Sequence, residues 1–139
     1  MPTRLAAVGL AIVLSSCAGP WGAPTHVDLS APSGAVVARA EVYLEPCSYP
    51  CVPHGGSDIE ITTIELPHDA NYAVALANGD CALPKHVRVL GTFRGDYIDT
   101  VRDDTPVRSL TSGRYVLLIR NARHADRNLA CGVIKAKWF

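Results

Sequence analysis

The sequence predicts an all-β chain, an antiparallel sandwich or barrel, and three observations carry that expectation. Apolar residues recur at every second position, short apolar runs end at turn residues, and no stretch holds a sustained helical stripe. "GAVVARAEVYLEP" sets Val36, Ala38, Ala40, Val42 and Leu44 on one side and Arg39, Glu41 and Tyr43 on the other. Successive side chains of a strand point to opposite faces, so this pattern is a strand buried on one face. "SDIEITTIELP" alternates less cleanly and stops at Pro67, which has no N–H for a ladder. "YAVALA", "HVRVLGTF", "RYVLLIR" and "LACGVIKAKW" follow, bounded by turn residues such as "NGD", "RGD" and "TSG". "RDDTPVRSL" has room for one helical turn at most. There is no internal repeat and no low-complexity tract.

Ahead of this pattern the chain reads as a targeting segment. Arg4 gives a basic head, and "LAAVGLAIVL" (Leu5 to Leu14) is ten residues without a polar side chain. A bilayer of ~30 Å needs ~20 helical residues, so the run is too short to span and fits a secretory signal. Leu14-Ser15-Ser16-Cys17 resembles the bacterial lipobox, which implies that Cys17 is acylated and becomes the first mature residue. Ala18, rather than Asp, follows the cysteine, which by resemblance to Gram-negative sorting implies the outer membrane, with the domain facing the periplasm. Residues 1–16 are thus expected to be the lipoprotein signal peptide, 17–25 a Gly/Pro/Ala-rich tether ("CAGPWGAPT"), and 26–139 one domain.

Removing residues 1–16 takes Arg4 away and leaves 12 basic and 13 acidic residues, a net charge of −1. Nucleic acid binding needs clustered Lys and Arg, and no such stripe remains, so nucleic acid is not an expected partner. Four cysteines besides Cys17 remain: Cys47, Cys51, Cys81 and Cys131. In an exported chain they read as two disulfides, with three connectivities open.

"NGDCALP" (Asn78 to Pro84) and "LACGVI" (Leu129 to Ile134) together resemble copper-zinc superoxide dismutases, above all the bacterial ones. "VARAEVYLEP", "IEITTIELPHDANYAVAL" and "SLTSGRYVLLIRNA" fall in the order of that family's strands, so the similarity covers most of Val27 to Lys135. It implies an eight-strand Greek-key β-sandwich or barrel. It also implies a bond between Cys81 and Cys131, which leaves Cys47 to pair with Cys51.

The family's chemistry does not carry over. Its copper strand reads His-x-His, ending five residues before the turn cysteine, and those places are Val74 and Leu76. Its last copper histidine is replaced by Arg120. The place of its functional arginine is Asn128, with Arg127 one residue earlier. From Cys81 to Gly113 the only histidine is His86, where the family's zinc loop carries several. Copper needs three or four nitrogen ligands in a defined geometry, which Val and Leu cannot supply. Val74 and Leu76 are therefore expected to fill what was a metal site, with no catalytic residues and no cofactor.

The remaining candidates are weaker. His26, His54, His68, His86 and His124 share no strand at i, i+2 spacing and read as exposed turn residues. Cys47-x-x-x-Cys51 with His54 is an alternative copper, zinc or redox site, its thiol pair resembling copper-delivery proteins, although those have helices. A disulfide pinning the Pro-rich loop is the reading preferred. Asp99, Asp103 and Asp104 lie close in sequence without the apolar frame of a general acid. "RGD" (Arg94 to Asp96) reads as a turn. The expected function is that of a non-catalytic, lipid-anchored envelope protein, a binding or structural module held to the membrane through Cys17, with an envelope protein or ligand as its other partner.

Overall fold

The computed structural model describes residues 24–44, 56–95, 99–124 and 126–136. Eight strands account for most of them: β1 (Thr25–Ser30), β2 (Val36–Leu44), β3 (Ser57–Thr63), β4 (Asn71–Gly79), β5 (Pro84–Arg94), β6 (Asp99–Asp103), β7 (Ser112–Asn121) and β8 (Asn128–Lys135). One helical turn, α1 (Val107–Leu110), precedes β7. The strands form one antiparallel sheet in the order β5-β4-β7-β8-β1-β2-β3-β6. The sheet curls until its outer strands, β5 and β6, approach each other, giving a nearly closed barrel. A Cβ built on Gly91 of β5 would stand 3.0 Å from Val101 of β6.

Alternation decides what each strand buries. Val27 and Leu29 of β1, Ala38, Ala40 and Val42 of β2, and Ile59 and Ile61 of β3 enter the principal core. Tyr72, Val74 and Leu76 of β4, Leu117 and Ile119 of β7, and Ala130 and Ile134 of β8 join them. The Tyr72 hydroxyl donates to the Pro67 carbonyl at 2.6 Å, so the one polar atom of this large core side chain is satisfied. β4 and β7 differ from the other strands in being buried on both faces. Ala75, Ala77, Val116 and Leu118 form a second cluster on the outer side, with Cys131 packed against it. That is why "YAVALA" and "VLLI" read as continuous apolar runs, the pattern of doubly covered strands.

β1 and β6 are strands that the six apolar runs of the sequence do not announce: "THVDLS" begins at Thr25, the last residue of the expected tether, and "DTVRD" overlaps the segment with room for a single helical turn. The barrel also depends on one close approach. Gly132 of β8 lies against β1, and a Cβ there would meet the Asp28 carbonyl and stand 2.8 Å from a Val27 methyl. The only registered pair between these strands is Ser30 with Cys131, so β1 leans on β8 through glycine rather than through a long ladder.

Candidate functional site

Cys81 and Cys131 are joined by a disulfide, with Cα atoms 5.8 Å apart and a sequence separation of 50. This is the pair that the resemblance implies. It ties the loop after β4 to the middle of β8 on the outer side of the barrel. In the same loop the Leu83 N–H donates to the Asp80 carboxylate at 2.9 Å, and Gly79 turns the chain at φ +98°, where a side chain would be strained. Cys17, Cys47, Cys51 and His54 lie outside the described residues.

Val74 and Leu76 stand inside the principal core, with essentially no exposed surface. Arg120 lies opposite Ala73 on the adjacent strand and, by the alternation of β7, on the other side of the sheet from Ile119. Its Nε donates to Asn128 Oδ1 at 2.7 Å. The three positions marked by the resemblance are thus split between two faces of the sheet. The outer face of β4 carries Ala73, Ala75 and Ala77, whose methyl groups have no lone pair to offer. The side chains of Val74, Leu76 and these three alanines therefore offer a metal ion no ligand. Among the described residues no three His, Cys, Asp or Glu side chains converge.

The histidines depart in part from expectation. His26 sits in β1 and His86 in β5, not in turns, although both are exposed. His26 Nδ1 lies 3.5 Å from Glu41 across the β1–β2 pair. His86 adopts φ +52°, a left-handed conformation uncommon for a residue with a side chain. His124 lines a shallow cleft with Asp126 and Arg127 at the β7–β8 turn. That turn is ordered by the Asn121 side chain accepting the Arg123 N–H at 2.9 Å.

The charged cluster that sequence reasoning missed lies across the β5–β6 gap. Asp103, with 1 % of its side chain exposed, forms a two-pronged ion pair with the Arg88 guanidinium, whose Nη2 donates at 3.0 Å. The Thr105 backbone N–H donates to the same carboxylate at 3.0 Å, and Arg88 also donates to the Thr105 hydroxyl at 3.1 Å. Ser57, fully buried, donates to the Thr105 carbonyl at 2.8 Å. Burial alone would push the Asp103 carboxyl up; the bonds from Arg88 and Thr105 outweigh it and hold the group below the usual carboxylate range. A carboxylate held this firmly in its charged form is a poor proton donor near neutral pH. Its chemistry is that of a clasp. On the neighbouring edge Asp58, also buried, faces Arg102 directly across β3 and β6, with Nε at 3.4 Å.

Among the described residues no helix is long and apolar enough to cross a membrane. No family model, no curated protein and no solved structure matches the chain.

Proposed function

We propose that this chain is a non-catalytic, lipid-anchored module of the bacterial envelope, built on a superoxide-dismutase-like Greek-key fold and acting by binding or by structural support. The observation that carries the reading is β4. In a dismutase-like barrel this strand would deliver two copper ligands, and here its inner face is Tyr72, Val74 and Leu76 and its outer face three alanines. The strand order supports the Greek-key part. β7 returns to lie beside β4, and β6 lies beside β3, so β4, β5 and β6 with β7 follow the return pattern of that motif once β5 faces β6. The Cys81–Cys131 bond agrees with the same resemblance. The anchor rests on Leu14-Ser15-Ser16-Cys17 and the short apolar run before it.

Metal analysis and a dismutation assay on the purified, oxidised protein test the reading. No bound copper or zinc is expected, and no turnover above free metal ion, with or without added copper. Near-stoichiometric copper together with turnover overturns it. Zinc or copper held without turnover, and lost in Cys47→Ser, moves the assignment to metal handling through Cys47, Cys51 and His54.

A further inference from the structure

We propose that the end of the barrel where the chain enters rests on an anionic phospholipid surface, as a second contact beside the acylated cysteine. The inference rests on the anchor reading and adds to it an orientation and a lipid preference. The register fixes the geometry. Counting along β1 and β8 from the Ser30–Cys131 pair, Thr25 and Lys135 come to the same end of the barrel. The pairs Ser112–Lys135 and Gly79–Pro84 place the start of β7 and the β4–β5 loop there too. Cys17 precedes Thr25 by eight residues, a span of at most about 28 Å when extended. An acylated Cys17 therefore holds this end within that reach of the lipid.

What this end presents suits that neighbour. Leu83 is 64 % exposed, Val133 44 % and Val87 36 %, among the few large apolar side chains outside the core. Lys85, Arg114 and Lys135 are exposed around them. On the described residues of the β4–β5 loop and the nearby ends of β4, β5, β7 and β8, Asp80 is the only acid, and its carboxylate already accepts the Leu83 N–H. The other side of the same end, at the close of β6, carries Asp103, paired with Arg88, and the exposed Asp104, so the basic rim lies on the β4–β5 and β7–β8 side. The disulfide at Cys81 and that hydrogen bond hold Leu83 outward on a stiff loop, which lowers the ordering cost of inserting it. Shallow apolar insertion combined with a basic rim is the pattern of interfacial binding, each basic group near an anionic leaflet strengthening it by about fivefold. Lys and Arg stems can lie along the apolar surface while their charges reach the phosphates.

The test uses the acylated mature protein in vesicles of phosphatidylcholine, with and without phosphatidylglycerol, followed by amide hydrogen exchange. In the anionic vesicles residues 80–90 and 132–136 should exchange several-fold more slowly than in the neutral ones. The opposite end, residues 64–70 and 122–128, should not change. Lys85→Glu with Lys135→Glu, and separately Leu83→Asp, should remove the difference while the protein stays vesicle-bound through its acyl chains. Equal exchange in both vesicles, or equal slowing at both ends, overturns the proposal. A purified protein with no acyl mass on Cys17 that fails to float with vesicles overturns the anchor reading itself, and this proposal with it.

Discussion

Replacing Asp103 by Asn keeps the shape of the clasp and removes its charge. The native carboxylate accepts from both Arg88 nitrogens and from the Thr105 N–H. An amide can accept at one atom only, so its NH2 must face a donor, either Arg88 or the Thr105 backbone. Hydrogen bonds to charged groups contribute roughly 1.5–3 kcal/mol each, and removing one partner of a buried pair costs roughly 3–5 kcal/mol. Arg88 keeps half of its side chain in water and can recover some solvation, so the lower end applies, about 3 kcal/mol. For a domain of this size that is a fall in Tm of about 12 °C, read by calorimetry or by a urea midpoint shift at constant slope. Arg88→Met should cost less, and the double variant should fall short of the sum by at least ~1 kcal/mol, because the two side chains act as one unit. The pH dependence has a definite sign. Asp103 is held below its ordinary value, so its contribution is present above pH ~4 and fades as pH falls through the lowered folded-state value. Asp103→Asn should flatten that acid limb. A cost under ~1 kcal/mol, or strict additivity with Arg88→Met, refutes the clasp.

Removing the disulfide by Cys81→Ser with Cys131→Ser releases a loop of about 50 residues, worth ~4 kcal/mol by loop entropy, and should lower the oxidised protein's Tm by well over 10 °C; non-reducing peptide mapping should find Cys47 bonded to Cys51, and a Cys47–Cys81 link would sink the assignment. Gly132→Val should destabilise by several kcal/mol in denaturant titration, since its side chain meets the β1 backbone; an unchanged midpoint would mean β1 and β8 are not in contact there. Val74→His with Leu76→His should not create a copper site, because both positions look into the core, and should cost about 2–4 kcal/mol; copper binding by the folded variant would contradict the face assignment. Cys17→Ser should release the protein from membranes, and globomycin should block processing of the wild-type precursor; continued membrane retention of the variant would refute acylation as the anchor.

How much of this was legible in the sequence depended on how far each signal ran along the chain. β2 announces itself because Ala38 to Tyr43 alternate strictly, although Val37, expected outside, joins Ala38 in the core at a register shift opposite β1, and β4 and β7 because their apolar runs are uninterrupted. β1 carries the same alternation, Val27 and Leu29 in and His26 and Asp28 out, but over six residues beside a Gly/Pro-rich stretch. β6 has a single large apolar residue, Val101, so no period could emerge from it. The clasp joins residues 15 apart on strands that are not bonded neighbours; nothing local distinguishes Arg88 or Asp103 from surface charges. The same holds for Val74, Leu76 and Arg120. Sequence counting placed them at metal positions, and only the register reveals that β4 and β7 send them to different sides.

Among the described residues, no backbone ladder joins β5 to β6; side chains alone span the gap. Six of the eight junctions around the barrel are stitched by ladders of peptide groups, the β1–β8 junction holds one registered pair beside Gly132, and the last is fastened by a buckle. Peptide stitching comes apart residue by residue at great cost, whereas a buckle can let go in one event. The barrel should thus unroll from this line before it loses any strand pairing, as the lowest-lying opening in native-state exchange. Unrolling bares two strand edges at once, ordinarily an invitation to another chain's strand. Arg88 on one edge and Asp103 on the other leave opposite charges on the two lips of the opening. A second opened molecule offers the same two lips, so the buckle that closes one barrel could equally fasten two, and the rarity of the opening is what keeps each chain to itself.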